Sequence, residues 1–310
     1  MVYNSWNKIK IKKQIKSTND SVDKTILEHL LNGSMIPFDD NTYPKTNDAN
    51  KIIIDECSVF SNYIEEFSLT PKFKNVQQEQ KRVPINLQLD FLYELFSTVT
   101  PEWMGIFNKI FKERKSNLKI SSAGNYSVYL SSLDYSYISI NKIFLIDDLF
   151  SLVHEYTHAI VDHIFYRMEY NSIYPFVELP SLNMELVSAT LMSEFFLDID
   201  SDIVSYFKYT INAIIDFAKR IVRISKYLNQ SGEFPQYFNR SLIIDYSYVI
   251  PYLFNLELFS LYNEDKEKWF YILMEIINIQ PSGNPLEDIK KLGLTPNFKV
   301  NEICDELRAL

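Results

Sequence analysis

The pentapeptide His-Glu-Tyr-Thr-His at residues 154–158 carries side chains that can bind a metal and move a proton. On a helix, positions i and i+4 are neighbours on one face, so the imidazoles of His154 and His158 can reach one ion. Glu155 lies one residue along and points beside that ion. A carboxylate there can take a proton from metal-bound water. Three of the four histidines in the chain, His154, His158 and His163, fall in this single stretch. Zinc suits such a pair, and a catalytic zinc has three protein ligands plus an open water position. The third ligand must come from elsewhere.

His163 has the wrong spacing. A third histidine six residues after His158 would extend a known pattern, but that position is Ile164. His163 therefore reads as a supporting or surface residue. The segment "FVELPSLNMELVSATLMSEFF" offers Glu178, Glu185 and Glu194. Glu178 follows His158 by 20 residues, and "EYNSIYP" between them reads as a turn that lets two helices run antiparallel. Glu185 stands seven residues on, two turns along the same face. One carboxylate can bind zinc while the other accepts the N–H of a liganding histidine. The expected set is one zinc per chain on His154, His158 and Glu178, with Glu185 behind a histidine; the reverse order of the two glutamates stays open. Glu194 reads as a surface residue.

Composition narrows the function. The 310 residues are 46% hydrophobic, enough for one large helical unit or two packed lobes. A net charge of −9 argues against nucleic acid as the main partner. The basic run "KIKIKKQIK" reads as a solvated face or a mobile arm. No window is apolar enough to span a bilayer, and no apolar stretch of the secretory kind opens the chain. Cys57 and Cys304 read as ordinary thiols in a reducing compartment, so a cytoplasmic location is expected. With 6 glycines there is little material for phosphate-cradling loops.

The elements that must position the site follow from periodicity. The histidine helix is expected over about 148–169, opened by acidic Asp147 and Asp148. Helices are expected after it at about 180–198, 203–228, 242–262, 266–277, 285–292 and 300–307. Before it, alternating "NYSVYL" and "YSYISINKIF" predict strands at about 125–130 and 135–144, joined by a turn at 131–134. Further upstream, helical spacing runs over about 15–32, through "KIIIDECSVFSNYIEEFSL", and through two segments that each open with proline, "PINLQLDFLYELFSTV" and "PEWMGIFNKIFKERK". Residues 32–50 read as a loop. The chain is expected to be mainly α, with one small hairpin beside the histidine helix.

"HEYTH" followed by "FVELPSLNMEL" resembles the thimet oligopeptidase and oligoendopeptidase F family of zinc peptidases. In that family the His-Glu-x-x-His helix is followed by a helix opening with Glu-x-Pro-Ser or Glu-x-x-Ser, with a second Glu seven residues later. The tail "DYSYVIPYLFNLELFSLYNEDKEKWFYILMEIINIQPSGNPLEDIKKLGLTP" is similar to the family's tyrosine-rich helix and closing segment. The resemblance covers residues 117–296 and implies a short, divergent member. Its implied organisation is a reduced N-terminal helical region at 1–116 and a zincin-type catalytic domain at 117–310. It implies a gluzincin that hydrolyses oligopeptides, with zinc on His154, His158 and Glu178 and with Glu155 as general base. The tyrosine-rich helix implies Tyr248 as donor to the oxyanion. Tyr246 stands near a position where the family often has histidine. Tyr252 lies close to a second tyrosine position, which Asn255 occupies here. An edge strand within "NYSVYLSS" or "YSYISIN" would pair with the substrate backbone. A smaller N-terminal lobe suits narrow processing of a single peptide.

Two other readings share the motif. A thermolysin-like peptidase also places a glutamate 20 residues on, but Leu182 stands where its aspartate would be and no histidine follows His163. A catalytically silent peptide-binding module would keep the zinc fold, but it has no need of Glu155.

Overall fold

The computed structural model describes residues 2–3, 6–32, 47–74, 81–99, 101–113, 115–120, 124–142, 144–164, 175–235, 242–279 and 284–297. Among the described residues the helices are α1 (Lys8–Ser17), α2 (Ser21–Asn32), α3 (Asn47–Glu56), α4 (Ser61–Ser68), α5 (Ile85–Val99) and α6 (Pro101–Phe111). They continue with α7 (Ile146–Ile164), α8 (Leu179–Phe195), α9 (Asp200–Ser231), α10 (Ile243–Glu264), α11 (Lys266–Asn278) and α12 (Pro285–Lys291). Four strands, β1 (Val2–Tyr3), β2 (Ser116–Ile120), β3 (Tyr126–Leu130) and β4 (Tyr135–Ile140), form one sheet in the order β1-β2-β4-β3. Of the expected loop at 32–50, residue 32 ends α2, residues 47–50 open α3, and 33–46 lie outside the described residues, as do the expected helix at 300–307, the end of the histidine helix at 165–169 and nearly all of the turn "EYNSIYP". The chain forms two compact units, 1–42 with 80–169 and 43–79 with 170–310. These units divide the chain at other points than the boundary at 116/117 that the resemblance implies.

In the first unit the predicted hairpin is present: β3 and β4 pair antiparallel, with Val128 opposite Tyr137. The sheet also holds two strands the sequence pattern did not announce, since β2 pairs parallel to β4 and β1 parallel to β2. β4 is buried along its whole length, as expected of a strand covered on both faces. Successive side chains of a strand face opposite ways. Tyr135 and Tyr137 share a core with Ile11 of α1 and Ile26, Leu27 and Leu30 of α2. The helix pair α1–α2 turns at Asp20, whose carboxylate caps α2 by accepting the N–H groups of Val22 and Asp23. The basic run is the exposed face of α1, anchored by buried Ile11. α7 packs on β3 and β4, and α6 packs on α7.

In the second unit α8 and α10 are its inner helices. Residues 179–189 of α8 are all buried, and α10 buries most of its length. A helix surrounded on all sides has no polar stripe, and its polar residues must find partners inside. Asn183 of α8 donates to Asn255 Oδ1 of α10 at 2.8 Å and accepts from Trp269 Nε1 of α11 at 2.8 Å. Asn255 donates back to the Leu182 carbonyl at 3.2 Å. α9, by contrast, is amphipathic: Ile203, Phe207, Ile211, Ile214, Ile215, Ala218 and Ile221 line its buried stripe. It ends at Gly232, whose φ of 74° makes the left-handed cap that glycine adopts without strain. Arg220 of α9 forms a two-point ion pair with Asp245 of α10, at 2.6 and 2.7 Å. Cys57 is a buried free thiol, and burial and then the negative charge of Glu56 push it up to about 12. Among the described residues no helix is long and apolar enough to cross a membrane.

Candidate metal centre

The first turn of α7 is set by Asp148. Its Oδ2 accepts the N–H of Phe144 at 2.8 Å and of Leu145 at 2.9 Å, satisfying donors that a helix start leaves open. With Asp147 it also places negative charge at the positive end of the helix dipole. One side of α7 is held by Tyr156, whose ring meets Phe107 and Phe111 of α6. Burial pushes the Tyr156 phenol far above its usual range. Tyr156 lies between Glu155 and Thr157, so fixing its ring fixes the rotation of the helix about its axis.

That rotation presents His154 and His158 together. Their Nε2 atoms are 3.1 Å apart and their rings 4.8 Å, at an interplanar angle of 71°. Nitrogen donors about 2.0–2.1 Å from a tetrahedral zinc lie roughly 3.3 Å apart. The pair therefore fits two vertices of a zinc shell without rearrangement. His154 is buried, and His158 is half-buried, which leaves the pair an approach from one side. Glu155 is 5% exposed; burial foremost, with a smaller push from the nearby Glu155, raises the pKa of the Tyr126 phenol of β3. Among the described residues β3 is an edge strand, as β1 is at the other side of the sheet, while β4 has neighbours on both sides, so of the two segments "NYSVYLSS" holds an edge and "YSYISIN" does not.

The remaining candidates lie in the second unit. Glu178 is the half-buried N-cap residue of α8, and its side chain makes no capping bond. Ser181 donates to its main-chain carbonyl at 2.9 Å and to carboxylate Oε2 at 3.3 Å. Pro180 in the first turn pre-sets the helical backbone there. Glu185 is 4% exposed and accepts the Tyr206 hydroxyl of α9 at 2.8 Å. Tyr206 is a partner that spacing along α8 could not reveal. Glu194 is exposed, as expected of a surface residue.

Of the three tyrosines on α10, Tyr248 is half-buried with its ring against Phe217 of α9. Tyr246 and Tyr252 are each 3% exposed. Burial, followed by nearby Cys57, pushes the Tyr246 phenol far up, and Tyr252 packs beside Phe67 of α4. Asn255 belongs to the buried network with Asn183 and Trp269.

The helical fold with a small sheet against the histidine helix is that of known peptidases. Neither a protein-family model nor a curated protein sequence matches the chain. Among solved structures it is similar to PZ peptidase A with an inhibitor, at a TM-score of 0.55 and 14% identity over 93% of this chain. It is also similar to a protein described as an oligoendopeptidase F from Bacillus anthracis str. Ames, at a TM-score of 0.52 and 15% identity over 96% of this chain. A protein described as a peptidase from Chlamydophila abortus gives a TM-score of 0.52 at 14% identity. The chain spans 60–61% of the length of these three. At such identity the likeness is one of fold.

Proposed function

We propose that the chain is a zinc-dependent metallopeptidase that hydrolyses peptide bonds in oligopeptides. The observation that supports this best is the imidazole pair on α7, set 3.1 Å apart with the buried carboxylate of Glu155 next to it. Binding alone would need the histidines and not the base. His154, His158 and Glu178 offer one donor atom each for a single zinc per chain. Zinc held there would supply Lewis-acid polarisation of the scissile carbonyl and would lower the pKa of a water toward about 7. Glu155 takes the proton of the attacking water and passes it to the leaving amine. Tyr248 donates to the negative charge that develops on the carbonyl oxygen, and loss of one such donor typically costs about 100- to 1000-fold in rate. Tyr246 and Tyr252, nearly inaccessible, are the weaker candidates for that donor. An extended peptide lies along the β3 edge. A cytoplasmic location suits the reduced, buried Cys57 thiol.

The ligand set is tested by zinc analysis of two variants. Glu178→Ala is expected to lose zinc affinity by well over 100-fold, because it removes one of three ligands. Glu185→Ala is expected to lose about 10- to 100-fold, the effect of removing a partner behind a ligand. Loss of zinc from Glu185→Ala with retention by Glu178→Ala would exchange the two roles.

A further inference from the structure

His163 is the α7 histidine that the metal set leaves over, yet it is built into the first unit with care. Its side chain is 1% exposed, and its Nδ1 lies 2.9 Å from Asp134 Oδ1. Its ring lies 4.4 Å from that of Tyr129 on β3. Asp134 occupies the turn between β3 and β4 in a left-handed conformation, φ 48° and ψ 55°. The Tyr129 hydroxyl donates to its Oδ1 at 3.1 Å, and Lys109 of α6 reaches its Oδ2 at 2.6 Å, with Lys115 at 4.0 Å. Burial works to raise the Asp134 pKa, but the bonds from Lys109 and Tyr129 and the nearby cations win and lower it. Burial lowers that of His163 against the pull of Asp134. The His163 ring thus meets, with Nδ1 2.9 Å away, a carboxylate on which α6, α7, β3 and the hairpin turn converge.

The other end of β3 is tied as well. Asn125 Nδ2 donates to Ser151 Oγ of α7 at 3.0 Å, while its Oδ1 accepts the Asn141 N–H at 2.7 Å. The edge strand is therefore pinned to α7 at both ends. His154, Glu155 and His158 lie on the helix between the two pins, Ser151 and His163.

We propose that the Asp134–His163 pair is a positioning clasp that fixes where the β3 edge lies along α7, and so sets the register of a bound peptide against the histidine pair and Glu155. This rests on the peptidase reading. The two histidines share one helix and keep their spacing without the clasp, whereas a peptide held on β3 keeps its alignment only if strand and helix do not slide. A displacement of about 1 Å can cost on the order of 100-fold in rate.

The test uses the full chain loaded with zinc, as wild type, His163→Phe, His163→Asn and Asp134→Asn. Zinc content, kcat and KM on a peptide, and amide hydrogen exchange along 126–130 and 151–164 are measured. All four are expected to hold one zinc. His163→Phe and Asp134→Asn should lose about 10- to 100-fold in kcat with little change in KM, and exchange along β3 should quicken. His163→Asn, whose polar amide can still reach Asp134, should recover most of both. Wild-type kcat and wild-type β3 exchange in His163→Phe and Asp134→Asn would overturn the clasp. So would uniform quickening of exchange throughout the unit that His163→Asn fails to restore. If wild type cleaves no peptide, the peptidase reading falls, and the zinc and exchange measurements still decide whether β3 is clasped.

Discussion

Glu155→Gln should keep the fold and a full complement of zinc and lose about 100- to 10,000-fold in peptide hydrolysis, the range that a positioned general base contributes. The amide matches the carboxylate in shape, so α7 and its packing through Tyr156 stay as they are. What it lacks is the capacity to take a proton from water and return it to the leaving amine. Residue 155 does not ligate in the proposed set, so metal content separates this variant from one that has lost the site. Zinc content and kcat/KM measured on the same preparation check it. Equal cleavage by wild type and variant would remove Glu155 from the mechanism. Zinc in both with cleavage by neither would favour a peptide-binding module.

The largest effect on stability is expected at Asp245. It is fully buried, and Arg220 meets it with a two-point ion pair while remaining partly exposed. Asp245→Ala leaves a guanidinium facing an apolar interior with its main partner gone, which costs about 3–5 kcal/mol in comparable cases. The double replacement Arg220→Met with Asp245→Leu should cost much less, because no charge is then left behind. Urea unfolding at unchanged slope measures both. A loss below about 1 kcal/mol for Asp245→Ala would place this pair with exposed ion pairs that contribute little. The link matters for function because Asp245 sits in the first turn of α10, the helix that carries Tyr246, Tyr248 and Tyr252.

The parts of this architecture that depend on local spacing are legible in the sequence. His154 and His158 are four residues apart on one helix, and the helix announces itself by acidic residues at its start and apolar residues along its flanks. The hairpin β3–β4 is legible for the same reason, since alternation is a property of consecutive residues. The strands β1 and β2 are not. β2 is five residues long and follows a lysine-rich helix end, and its parallel pairing with β4 leaves no trace in its own composition. The two units, interleaved along the chain, are equally hidden, because compactness comes from contacts between residues far apart in sequence.

Buried polar partners follow the same rule. Asn255 draws attention as a departure from a tyrosine pattern, but it bonds to Asn183 and Asn183 bonds to Trp269, each from a different helix. His163 can be dismissed as a ligand by counting residues along α7. Counting cannot find Asp134, which the hairpin turn carries to it from 29 residues upstream. The turn itself gives the one clue, because an aspartate tolerates the left-handed conformation that such a turn needs. Glu185 likewise finds Tyr206 on the next helix, a partner that no periodicity predicts.

The most direct test of a zinc peptidase on this fold is metal analysis of the purified chain together with digestion of a peptide library before chelation, after chelation, and after zinc is returned. One zinc per chain is expected, with cleavage lost to the chelator and restored by zinc. Cleavage that persists at full rate once the zinc has been removed would contradict it, as would a chain that binds zinc at His154 and His158 and cleaves no peptide in the library.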